Sequence, residues 1–129
     1  MIAELRQTLA AAIETRLGDP TVNVDAAPPE ALVPPAIAVD LDSANPNGRI
    51  LDDVVLSVTV VPFAELASPE FADERDRYVE AVLAVFHTLK LEDAGLGDWT
   101  GVTRDVQLGG VTHRAFEFTL PITTPSVCI

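Results

Sequence analysis

Two histidines, three runs of adjacent carboxylates and one cysteine are the side chains of this chain whose types could support chemistry. Acid–base catalysis needs two carboxylates held across a cleft, whereas Asp52-Asp53, Asp73-Glu74 and Glu92-Asp93 are sequence neighbours. Their settings suggest plainer duties: a strand flank, a helix amino terminus and a loop, all solvated. His87 and His113 have no cysteine or second histidine at ligand spacing, so a zinc site is not expected. His87 reads as a partly buried helix-flank aromatic with one hydrogen bond, and His113 as a solvent-facing strand residue. Asp40, Asp42, Asp52 and Asp53 are oxygen donors of the kind calcium prefers, but the spaced loop pattern of a calcium site is missing. No phosphate-binding glycine loop or serine elbow is present, and Gly95-Leu96-Gly97 follows a helix where a nucleotide fold needs a strand. Arg75 and Arg77 stand among acids on a helix face and read as exposed ion pairs or as part of a subunit boundary. The expectation is a protein that is not an enzyme, with no catalytic residues, no cofactor and no metal.

Composition sets the frame in which such residues would be held. A 129-residue chain fits one domain, 1–129, since cores of this size bury roughly two-thirds of the unfolded chain's surface. Hydrophobic residues at 48% against 22% charged exceed what a disordered chain carries, and ten prolines imply fixed loops. Twenty acidic residues against eight basic ones give a net charge of −12, which disfavours attraction to nucleic-acid phosphate. DNA could still pass an acidic surface without sticking to it. Cys128 alone can form no intrachain disulfide, and no apolar run reaches the roughly 18 to 20 residues that span a bilayer. Glu4 and Arg6 stand where a signal peptide would show a basic start and an apolar run, so folding in a cytoplasm without membrane association is expected.

The elements follow from periodicity. Ile2, Leu5, Leu9, Ile13 and Leu17 form a helical stripe that Gly18-Asp19-Pro20 stops. Val22 and Val24 mark a short strand within 21–25, and the proline-rich AAPPEALVPP then acts as a rigid connection. Ile37, Val39 and Leu41 share one face of a strand over 36–41. Val54, Leu56, Val58 and Val60 do the same in a strand over 51–62 that Pro62 ends. These two strands are expected to pair antiparallel through a connection longer than a minimal hairpin, with Asn47-Gly48 as its turn signal.

A second helix starts near Ser68, where serine precedes proline and acids cluster, and runs to Lys90 with Tyr78, Val79, Val82, Leu83, Phe86 and Leu89 on its buried stripe. A polar loop carries the only tryptophan. A closing hairpin from about Trp99 to Ile122 turns at Gly109-Gly110, with Phe116, Phe118, Leu120 and Ile122 on its apolar face. The remaining TTPSVCI reads as a tail ordered by a neighbour. The expected fold is α+β: two helices on a mostly antiparallel sheet of about four to five strands.

The stripe IAELRQTLAAAIETRL, the strand VVLSVTVVPF leading into ERDRYVEAVLAVFHTL, and the closing strand HRAFEFTLPIT together resemble the tail terminator family of long-tailed phages. The resemblance covers nearly the whole chain and rests on element type and length. It implies a virion structural protein of the tail or neck, assembled in the host cytoplasm. Such a protein caps the tail tube as a six-membered ring of identical subunits, stops tube polymerisation and offers a surface to the head connector. The implied partners are further copies of itself, the tail tube protein and the head completion or connector protein, with DNA only as a passenger through the lumen.

Ring closure needs heterologous contacts, and sheet edges with unpaired donors and acceptors can supply them. The segment from Asp42 to Asp53 is the first interface candidate. Asn47 and Gly48 would shape its tip, Arg49 would give a cationic contact on an acidic protein, and Ile50 an apolar anchor. The plainer alternative is a mobile surface loop. Rival functional readings are another neck, head-tail connector or minor tail protein, and a small monomeric or dimeric adaptor that presents its sheet to one partner.

Overall fold

The computed structural model describes residues 2–64, 67–92 and 94–125. Helix α1 covers Ile2–Leu17 and ends where the Gly18 N–H donates to the Glu14 carbonyl at 3.0 Å. Helix α2 covers Pro69–Leu91. Ser68 caps it, accepting the Glu70 N–H at 3.2 Å, while Pro69 sits in the first turn, where its missing donor costs nothing. The strands are β1 (Asn23–Asp25), β2 (Ala36–Asn47), β3 (Leu51–Val61), β4 (Thr100–Leu108) and β5 (Val111–Pro125). They lie in the order β1-β2-β3-β5-β4, with β1 parallel to β2 and every other pair antiparallel. The fold is α+β, as the periodicities imply.

Strand alternation decides which side chains meet the helices. Ile37 and Val39 of β2, Val54 to Val60 at every second position of β3, and Phe118, Leu120 and Ile122 of β5 form one core with Leu9, Ile13, Tyr78, Val82 and Phe86. The helix stripes are those expected from spacing. Phe86 is fully buried and sits edge-on to Phe118, with ring centroids 5.3 Å apart. Burying each such side chain contributes about 1.5–3 kcal/mol, so this face supplies most of the stability.

The other face is not bare. The connection between β1 and β2 carries a 3₁₀ turn at Pro29–Ala31 that packs against both β2 and β4, which requires the sheet to curl toward it. Val61, Val106, Leu108 and Ala115 form a second, smaller core there, and Ala36, Ala38 and Thr59 are also buried. The proline-rich connection thus acts as a cover as well as a spacer.

The β4–β5 turn is the expected two-residue hairpin, Leu108 pairing with Val111 across Gly109 and Gly110, whose φ values of 59° and 80° suit glycine. The long connection expected between β2 and β3 is corrected. Both strands continue through Asn47↔Leu51, so only Gly48, Arg49 and Ile50 lie outside the ladder. The ladder slips by one residue between Leu41 and Ser43, leaving Asp42 as a bulge. Beyond it β2 reads Ser, Ala, Asn, Pro, Asn and is mostly exposed, so no apolar alternation announced a strand. Pro46 is tolerated because β2 past Ala38 is an edge among the described residues. At the other margin β4 has no outer partner from Thr100 to Leu108 among the described residues. β5 runs on to Pro125, paired with β3 as far as Leu51↔Pro125, so the start of the expected tail is strand. Cys128 and the rest of that tail, with Asp93, lie outside the described residues.

Candidate functional site

The β2–β3 tip stands on a three-stranded extension of the sheet, β2, β3 and β5, beyond the part covered by the helices. Asp53 ties the three strands together. Its Oδ1 accepts from Asn47 Nδ2 at 3.1 Å and from the Thr123 hydroxyl at 3.1 Å, one bond to each flanking strand. Asn47 therefore braces the tip, Gly48 opens the turn, and Arg49 and Ile50 project from it. Ile50 is 62% exposed and Leu51 37%. The four residues Asn47, Gly48, Arg49 and Ile50 stand at the tip of a braced ribbon instead of in a loose loop.

Arg49 is set apart by what it lacks. Six of the eight basic residues are in ion pairs: Arg6–Asp40, Arg75–Asp76, Arg77–Asp19, Lys90–Asp98, Arg104–Glu117 and Arg114–Asp105. Among the described residues, only Arg16 and Arg49 have no such partner. On a chain with twelve excess negative charges, an unclaimed cation at the end of a braced projection is a surface feature with contact chemistry.

Polar groups also gather on the curled face, in a cup of about 170 Å³ between the 3₁₀ turn and strands β2, β3, β4 and β5. Arg104 donates to Glu117, and the buried Thr59 hydroxyl faces Glu117 Oε2 at 3.5 Å. Asp40 and Asp42 lie at its margin, while Asp52 and Asp53 are on the extension, on opposite faces of β3. No three histidine, cysteine or acidic side chains come close enough to hold a metal ion among the described residues.

The histidines differ in setting. His87 is exposed, not partly buried, and among the described residues its ring has no hydrogen-bond partner. It lies edge-on to Trp99, centroids 5.1 Å apart, because Trp99 folds back over the end of the core against Phe86 and under Lys90. The unexpected packing of the tryptophan is what displaced the histidine reading. His113 lines a cleft of about 320 Å³ with Pro62, Phe63, Phe71 and Val111. Phe63 is 71% exposed there, and its N–H is held at 2.7 Å by the Glu74 carboxylate, which also accepts from Ala64 N–H at 3.2 Å. The charged pair in this cleft, Arg114 with Asp105 at 2.7 Å, satisfies itself.

A groove of about 700 Å³ runs between the antiparallel helices on the outer surface, lined by Thr8, Ala11, Ala12, Ala84, Val85 and Leu89, with Arg16 at one end and Glu92 at the other. Nothing in the periodicity marked it, because small side chains read as filler. No helix is long and apolar enough to cross a membrane among the described residues. No protein-family model matches this chain, and no curated protein matches it.

Proposed function

We propose that this chain is a structural subunit of a phage tail, a terminator that caps the tail tube as a ring of identical copies and presents a surface to the head connector. The observation that carries the reading is the braced β2–β3 projection: Arg49 with no ion-pair partner among the described residues and Ile50 largely exposed, while the charges of the cup and the cleft pair as Arg104–Glu117 and Arg114–Asp105. A turn whose backbone is already braced by the ribbon beneath it has less backbone freedom left to lose on contact, which suits assembly. The element order that resembles tail terminators supports the same role. DNA would pass through the lumen as a passenger, repelled by an acidic wall.

A second reading, a small adaptor, draws on the Phe63 cleft and the unpaired outer edge of β4, either of which could receive one partner. Electron microscopy of particles from a phage lacking this gene separates the two. Tubes of uncontrolled length that fail to join heads are expected, whereas normal joined tails would remove the terminator role and favour the adaptor.

A further inference from the structure

We infer that the β2–β3 tip of one copy docks in the α1/α2 groove of a second copy, Arg49 meeting Glu92 and Arg16 meeting Asp52. The inference rests on the ring reading and names the contact that would build it. Three observations lead to it. First, the two described cations without an intrachain partner are distributed one to each surface, Arg49 at the tip and Arg16 at the groove. Second, each surface carries an acid with no ion-pair partner among the described residues, Asp52 beside the tip and Glu92 at the groove's far end. Along the tip the order is cation, Ile50, Leu51, acid. Along the groove it is acid, an apolar floor, cation.

Third, the charged groups have reach. Arg49 and Asp52 are three residues apart in sequence, one in the turn and one at the start of β3. Arg16 near the end of α1 and Glu92 at the C-cap of α2 both line the groove. Long side chains on both surfaces let the opposite charges meet. Ile50 and Leu51, both exposed, would then lie over Ala12, Ala84 and Leu89, burying apolar surface between the charge pairs. The opposite orientation would set Arg49 against Arg16 and Asp52 against Glu92, so charge fixes the direction of docking.

Tip and groove are different surfaces of the chain, so the contact is head-to-tail and repeats until it closes. Its complementarity can be exchanged. Arg49→Glu sets acid against acid at the Arg49–Glu92 pair, and Glu92→Arg sets cation against cation there, while the Arg16–Asp52 pair is left as it is. Neither change disturbs the fold, since Arg49 is in an exposed turn and a cation at the end of α2 suits the helix dipole. Sedimentation velocity of the full chain over a concentration series is the test. Wild-type protein is expected to self-associate, each variant alone to do so at least about tenfold more weakly, and an equimolar mixture to recover association, because every contact in an alternating ring is then between opposite charges. Variants that associate like wild type, a mixture that does not recover, or a wild-type chain that stays monomeric throughout would each overturn this contact. The tail-length experiment judges the ring role separately, since misterminated tails with unaffected variants would leave the ring standing and move its interface elsewhere.

Discussion

At the scale of single residues, much of the chemistry here is charge pairs that hold turns in place. Asp19, just past α1, accepts the Thr21 hydroxyl at 2.6 Å and the Thr21 N–H at 3.0 Å, and Arg77 of α2 at 3.0 Å. The Thr21 hydroxyl is the main reason that its carboxyl titrates below the ordinary aspartate value of 3.8, with the Thr21 N–H next and Arg77 adding to it. A depressed folded-state pKa means that the ionised form contributes stability above the unfolded-state value, and that this contribution is lost as pH falls through the folded one. The melting temperature of wild type is therefore expected to exceed that of Asp19→Asn fully above the ordinary aspartate range and to converge with it as pH falls through the depressed folded-state value, checked by thermal melts across an acid series. A constant gap at all pH values would show that the carboxylate charge is not what matters. The link from Asp19 to Arg77 was invisible in sequence because it joins positions 58 residues apart, whereas Arg75 pairs with its neighbour Asp76, as the exposed-ion-pair reading of that helix face allowed. The setting of His87 is hidden for a related reason, since spacing places it beside Phe86 but says nothing of a tryptophan arriving from a loop.

At the scale of elements, the sequence is legible wherever a second layer presses on it. Both helices and the strands beneath them show their buried stripes because burial selects one face. The outer part of β2 lies beyond the helices, so from Asp42 to Asn47 it reads Asp, Ser, Ala, Asn, Pro, Asn with no apolar alternation, and a strand reads as a loop. The same absence of covering makes the segment that flanks β5 more than a linker. Gly95 and Gly97 bracket a bridge from Leu96 to Ile122, with the Thr123 N–H donating to the Gly95 carbonyl at 3.0 Å and the Gly97 N–H to the Pro121 carbonyl at 2.9 Å. Gly95 has φ near 73°, and a β-carbon there would lie 2.5 Å from the Thr123 carbonyl oxygen. Gly95→Ala is expected to cost about 1–3 kcal/mol in urea unfolding, through left-handed backbone and contact together. An unchanged midpoint would mean that this segment is not fastened to the sheet as described.

At the scale of the whole molecule, twelve uncompensated negative charges oppose folding over the entire surface, while the six ion pairs are mostly exposed and worth little each. Salt screens both, and repulsion outweighs the pairs. Raising ionic strength from about 10 mM to about 150 mM is expected to increase the melting temperature by a few degrees in calorimetry, and a decrease would show that the ion pairs dominate. Of the proposed contact surfaces, the sequence disclosed the tip through Asn47-Gly48 and Arg49, but not the groove, which exists only once two helices lie side by side. The margins of the sheet are also unlike. Among the described residues, the outer edge of β4 runs nine residues without a partner, whereas the margin formed by β1 and β2 is covered by the three residues of β1 and then interrupted by the bulge at Asp42 and by Pro46. Accidental strand-to-strand pairing of concentrated protein is therefore expected to join two copies along β4 and to favour pairs over fibrils.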